Sequence, residues 1–252
     1  MFPKVIIDMI VGFLPHFELL EWIDESKLDF HYLSANPNAI HILQQNQDKI
    51  AWKHLSRNPN AIHLLKENQD KINWYFLSMN PNAIDLLEKN KNKIDWDGLS
   101  QNRNAIHLLK ENQDKIDWYW LSLNSNAIDL LEQNEDKINW CCLSTNPNAL
   151  HLLHLEKIDW DWLSDNPNAI HLLQENQNKI DWHWLSGNPN AIHLLEQNKD
   201  KIDWSHLSSN LNAIHLLEQN KHKISWGFLS SNSSIFIHVD VINITNLLEF
   251  NN

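Results

Sequence analysis

The side chains of this sequence best suited to acid–base or metal chemistry stand in a column: His41, His63, Asp85, His107, Asp129, His151, His171, His193 and His215. Imidazole titrates near neutrality and ligates transition metals, so such a column suggests a metal site or a pH sensor. The spacing speaks against a shared ion. Each step is 22 residues, with one of 20, and copies on successive packed helices stand roughly 8–10 Å apart, too far for two ligands of one metal. A structural or surface role follows, with mutual repulsion along the column when it is protonated in acid.

Other chemistry is harder still to place. Only four Gly occur, with no Gly-rich phosphate loop, no nucleophile elbow and no paired carboxylates outside the repeating pattern. The two cysteines, Cys141 and Cys142, are adjacent and lack the second pair that a zinc site needs. Cys142 reads as a small core substitute. Almost every polar residue has a copy 22 residues away, whereas an active site is a unique constellation. No catalytic residue, cofactor site or metal site is therefore expected.

The elements that carry these residues form a repeat. An aromatic recurs at Phe30, Trp52, Trp74, Trp96, Trp118, Trp140, Trp160, Trp182, Trp204 and Trp226. Periods of this size mark solenoids, whose units bury apolar surface only against neighbours. Within 52–73, Asn58-Pro59 is a strong helix start, Asn as N-cap and Pro at the first helical position, which predicts a helix to about Glu67. Asn keeps that slot in all ten copies (Asn36, Asn58, Asn80, Asn102, Asn124, Asn146, Asn166, Asn188, Asn210, Asn232), even where Pro is replaced. The residue before each aromatic, usually Asp or Asn, predicts a second, shorter helix over Trp52–Arg57. Asn68 and its equivalents are expected to be left-handed C-terminal residues. Ala61, Ile62, Leu65, Ile72, Trp52 and Leu55 form the expected core.

The fold class is thus all-α, a solenoid of about ten 22-residue two-helix repeats, one helix partly 3₁₀. Residues 30–231 form the array, 1–29 an N-terminal helical cap and 232–252 a divergent C-terminal cap with a β-branched, alternating run. Stacking implies an elongated body on the order of 80 Å long. The two-residue deletion at 152–158 is expected to shorten a turn and spare the helix.

Composition narrows the partners. The chain has 252 residues, 42% hydrophobic, with 13 Trp, and carries 20 Lys plus Arg against 32 Asp plus Glu, a net charge of −12. No basic stripe is present, so nucleic acid is excluded as a partner. The apolar run Val5–Leu14 is too short for a bilayer and is interrupted by Asp8. No membrane partner and a cytoplasmic location are expected.

One stripe varies freely. The residues one and five places after the aromatic take every chemistry, among them Lys53, Arg57, Tyr75, Met79, Tyr119 and Leu123. Residues four apart share a helix face, so this is a solvent-facing surface. It is either a protein-binding face, with Tyr75, Met79, Tyr119 and Leu123 as apolar anchors, or an unselected surface.

The phrases Leu-Ser-x-Asn-Pro-Asn-Ala-Ile-His-Leu-Leu and Asp-Lys-Ile-Asp-Trp, from Leu33 to Trp226, resemble tandem-repeat proteins of giant DNA viruses of amoebae. That resemblance implies a viral protein without assigned chemistry. The Asn-Pro helix starts are similar, more loosely, to leucine-rich variant repeats. Phe2-Pro3, Val5-Ile6-Ile7, Ile10-Val11, Phe13-Leu14 and Leu19-Leu20 resemble the start of an F-box, which implies a ubiquitin-ligase adaptor. The expected function is non-enzymatic protein binding by a rigid scaffold, with such an adaptor or a self-assembling virion component as alternatives.

Overall fold

The computed structural model describes residues 16–239, and they form a helical repeat solenoid. Each unit begins with a short Trp-led helix, as in Trp74–Met79, and continues into an Ile-led helix, as in Ile84–Lys89. A 3₁₀ turn such as Lys91–Lys93 leads to the next unit. Neither helix exceeds six residues, so each depends on its neighbours for stability. The shared core is Leu33, Leu43, Leu55, Leu65 and their equivalents, with buried alanines such as Ala61 and Ala105 where backbones approach.

The capping residues act largely as their types suggest. Asn73 Oδ1 accepts from the Phe76 backbone N–H at 3.1 Å, and Asp117 does the same for Trp120 at 3.0 Å. Ala51 has no side-chain cap to offer, and Ser225 makes none. The helix expected from Pro59 starts later: Pro59–Ala61 is a 3₁₀ turn, and the α-helix is Ile62–Glu67. Ala61, at φ −93° and ψ 5°, separates the two. The left-handed conformation expected at Asn68 is absent, since no described non-glycine residue has positive φ. Asn68 instead sits at φ −127° and donates from Nδ2 back to the Leu64 carbonyl at 2.9 Å, occupying a terminal acceptor without the steric cost of left-handed backbone.

The shortened repeat loses more than a turn. In place of an Ile-led α-helix it has a single 3₁₀ turn, Leu150–Leu152, followed at once by the connecting 3₁₀ turn Leu155–Lys157, and Leu155 is left 73% exposed. Too few residues remain to complete i→i+4 turns before the next unit begins.

The largest departure from expectation is that the array is not an open rod. The Trp-led helices pack side by side from repeat to repeat, and the last, Trp226–Ser231, packs on the first, Phe30–Leu33. The Ile-led helices of successive repeats stand farther apart. A row with closer spacing takes the shorter path, so the Trp-led helices form the inner circumference of a closed ring. Ten steps of roughly 8–10 Å give an inner row about 80–100 Å around. The length estimated for a rod becomes a circumference.

Three hydrogen-bond ladders run through this closure. Asn58 Nδ2 donates to the carbonyls of Ser34 and Asn36 in the preceding repeat, at 3.0 and 2.8 Å. Every equivalent Asn does the same, and Asn36 completes the circle by donating to Ser230 and Asn232 at 3.0 and 3.1 Å. Ser56 Oγ donates to the Trp52 carbonyl and accepts the Asn73 backbone N–H; Ser230 Oγ accepts from Asp29 in the same way. Asn60 Nδ2 donates to the Pro37 carbonyl, and Asn38 Nδ2 to that of Ser233.

A two-stranded antiparallel sheet stands where the tenth Ile-led helix would be. β1 (His16–Leu19) pairs with β2 (Phe236–Val239), Leu19 opposite Phe236. The helical cap expected over 1–29 is therefore a strand and a 3₁₀ turn, Glu25–Lys27, where it is described. The two strands satisfy each other's backbone groups at the one place among the described residues where the repeat pattern is interrupted by the closure. The alternating run after Asn232 supplies the partner, burying Ile235 and Phe236. Residues 1–15, with most of the F-box-like opening, and 240–252 lie outside the described residues.

Closure makes a test. In a ring Asn36 is as interior as Asn124, so Asn36→Ala and Asn124→Ala should each cost about 2–4 kcal/mol in urea unfolding, through a lost cap and an orphaned buried serine carbonyl, Ser230 or Ser100. A loss at Asn36 much smaller than at Asn124 would mean that the array is open.

Candidate functional site

The face of each Trp-led helix turned away from the core lines the inside of the ring. Lys53, Arg57, Tyr75, Met79, Tyr119 and Leu123 all lie on this wall, on the helices or the turns that end them. Tyr119 is 42% exposed, Lys53 and Arg57 are exposed, and Tyr75, Met79 and Leu123 are half-buried. They form two patches. In one, Phe76 receives Lys53 Nζ at 5.4 Å and the Arg57 guanidinium at 5.9 Å, with Tyr75 edge-on to it at 5.1 Å. In the other, Tyr119 packs edge-on against Trp120 at 4.9 Å. Between them the repeat carries Asp97, Gly98 and Gln101. A Cβ on Gly98 would stand 2.5 Å from the Tyr75 carbonyl oxygen, so this glycine permits an unusually close approach of two helices.

The second residue after each aromatic makes an aromatic belt beside the freely varying stripe. Trp162 stacks on Trp184 at 5.8 Å, Trp184 meets His206 edge-on at 5.5 Å, and His206 meets Phe228 at 5.6 Å. Phe228 then stacks on Tyr32 at 6.0 Å, carrying the belt across the closure. His54 and Phe76 extend it. Cys142 occupies the same position, fully buried, and burial pushes its thiol up to about 11. Cys141 is exposed.

Two histidine pairs stand on this wall. His183 and His206 have ring centroids 3.7 Å apart and tilted 52°; His31 and His54 are 3.9 Å apart and tilted 53°. Both pairs join the first position of one repeat to the second position of the next, a sequence separation of 23 that a search at the repeat period alone misses. They differ in what stands beside them. Asp203, the N-cap of Trp204–Ser209, has Oδ2 2.9 Å from His183 Nδ1 and Oδ1 3.4 Å from His206 Nδ1. Burial works to raise its pKa, but hydrogen bonds from the His206 backbone N–H, His183 and the His206 side chain outweigh it and hold the carboxyl below its ordinary value. At the other pair the cap is Ala51, and His54 Nδ1 is buried without a partner. Burial, followed by the charges of His31, Arg57 and Lys53, lowers the His54 pKa. Among the described residues, His183, Asp203 and His206 are the group whose donor atoms all lie within 4.8 Å of one another.

The histidine column lies elsewhere, on the Ile-led helices of the outer circumference. Five of its histidines reach back to the preceding repeat: His107 Nε2 to Glu88 at 3.5 Å, His151 to Glu132 at 3.2 Å, His215 to Glu196 at 3.2 Å, with Gln44 and Gln174 serving His63 and His193, whereas His171 pairs with Glu175 of its own helix at 3.2 Å. The lysine of each connecting turn caps the face of an aromatic instead, Lys71 over Trp52 at 4.4 Å and Lys201 over Trp182 at 4.5 Å. Lys27 over Trp226 at 5.1 Å continues that series through the closure.

The family model described as Periplasmic copper-binding protein (NosD) matches residues 26–224, a span that takes in most of the ring and the His183–Asp203–His206 group. No curated protein and no solved structure matches the chain.

The inner wall also holds a half-buried acid. Burial raises the Asp165 carboxyl from 3.8 to about 6. A raised carboxyl pKa means that the folded protein favours the protonated form, so stability from this group is fullest below the unfolded value and is lost as pH rises through 6. Asp165→Asn should therefore raise Tm by roughly 2–4 °C at neutral pH and leave it unchanged in acid below the unfolded pKa. Thermal scans at both pH values check this, and an equal effect at both would mean that the carboxyl is solvated.

Proposed function

The chain belongs to the family of periplasmic copper-binding proteins (NosD), and from that premise and the closed ring we propose that it is a non-enzymatic scaffold that binds protein on its inner wall. The observation that carries this reading is where the variation falls. Capping asparagines, core leucines, ladder serines and most aromatics repeat almost unchanged, whereas the residues one and five places after the aromatic change chemistry at nearly every step. Those positions face inward and include Tyr119, one of the few large apolar side chains exposed among the described residues. Aromatic and arginine side chains beside apolar ones are the composition of binding hot spots. No helix of the described residues is long and apolar enough to cross a membrane.

The family name speaks of copper and the periplasm. As a donor set, two imidazoles and a carboxylate at His183, His206 and Asp203 suit Cu(II), so the residues fit the metal that the name implies. They would hold the ion while the rest of the wall stays free for a partner. The viral origin implied by the repeat phrases remains part of this reading.

Tyr75→Ala with Tyr119→Ala should reduce the recovery of co-purifying proteins by roughly tenfold, a loss of about 1.4 kcal/mol, while Tm changes little. Quantitative mass spectrometry of material captured by wild type and variant, with thermal unfolding alongside, checks both. Unchanged recovery would sink the inner-wall assignment, and a large fall in Tm would mean that these residues are core.

A further inference from the structure

We propose that His183, Asp203 and His206 bind one Cu(II) ion per chain at a unique position on the inner wall. Ligands about 2.0–2.1 Å from one ion and adjacent in its coordination shell stand about 3 Å apart. Nδ1 of His183 and Oδ2 of Asp203 already hold that separation, at 2.9 Å. The carboxylate is fixed by its other duties. The Asp203 backbone N–H donates to Ser186 Oγ at 2.9 Å, and Oδ1 caps the His206 backbone N–H at 2.9 Å, which leaves Oδ2 directed at His183. His206 is only 20% exposed, held edge-on by Trp184 and flanked by Phe228, so its ring is oriented before any ion arrives. Wall positions of this kind leave coordination sites open to solvent.

The donor set selects the metal. Imidazole with carboxylate suits Cu(II), which also binds such sites more tightly than its divalent neighbours. Thiolate or thioether ligands, which favour Cu(I), are missing from the group.

The ring contains its own control. His31 and His54 reproduce the imidazole pair, at 3.9 Å against 3.7 Å, but Ala51 stands where Asp203 supplies the third ligand. The buried, unpartnered Nδ1 of His54 marks the place that a carboxylate at 51 would serve. One site per ring thus follows from the residue that precedes the second aromatic of each pair, Asp203 at one and Ala51 at the other.

Calorimetric titration of the full chain with Cu(II), in a buffer with a weak competing chelator, should give one tight equivalent, and electron paramagnetic resonance should show coupling to two imidazole nitrogens. His183→Ser and His206→Phe, both residue types that other repeats carry at these positions, should each weaken it by more than roughly tenfold while thermal unfolding is preserved. If His206→Phe fails to fold, the exposed His183→Ser carries the test. Ala51→Asp should add a second equivalent. The Tyr75 and Tyr119 alanine variants should keep the copper equivalent, which separates this result from the fate of the partner-binding reading. Several weak equivalents indifferent to His183→Ser would place the ions on the outer histidine column and overturn the proposal. A folded Ala51→Asp protein with no added equivalent would overturn Asp203 as the third ligand.

Discussion

The buried asparagine that links each repeat to the one before it is the interaction on which this ring depends. Its side chain does two jobs at once. Oδ1 accepts from the backbone N–H two residues on, as Asn58 does for Asn60 at 3.0 Å, and Nδ2 donates to two carbonyls of the previous repeat. Helices of four to six residues leave most of their terminal backbone groups without intrahelical partners. Without these amides the serine carbonyl near the end of each Trp-led helix, such as that of Ser34, would be buried and orphaned, at a cost of about 1–3 kcal/mol. No other side chain of that size offers an acceptor and two donors in one plane. That is why Asn stays when Pro gives way to Arg103, Ser125, Leu211 or Ser233.

With connectivity secured by Asn and Ser, and the Trp faces covered by Lys, the inner wall is released from structural duty. Side chains there change from Lys53 to Asp97 to Cys141 to Gly227 without altering the repeat. The cost of variation is largest where a constant position changes. Ala51 removes a cap and leaves His54 Nδ1 unpartnered, and the 20-residue repeat loses its α-helix and exposes Leu155. The same freedom lets one pair of histidines acquire a carboxylate neighbour while its twin does not.

Much of the unit was legible because local rules determine it. Asn58, Asp117 and Leu55 announce caps and core through position alone, and the period announces a stack. What the period could not reveal is curvature, which depends on the small difference in spacing between Trp-led and Ile-led rows summed over ten steps. Closure is therefore a property of the whole, invisible in any one unit. Asn68 misled because Asn tolerates a left-handed turn, yet a back-bond to Leu64 satisfies the same carbonyl in ordinary backbone. The candidate binding residues share one wall, as their spacing implied, but the pairing of His183 with His206 follows a spacing of 23, created by packing between repeats. The strand Phe236–Val239 was half-read from its alternation; its partner His16–Leu19 carried too little pattern to be recognised.

The pairing of β1 with β2 has a mechanical side. His16 lies opposite Val239, so the polypeptide enters and leaves the ring at neighbouring points. Tension applied through those two points would meet the strand pair in a peeling geometry, breaking one rung at a time, and the circle would open at its seam before any repeat unravelled. A chain built this way behaves under load as a buckle whose weakest link is placed by topology and not by chance.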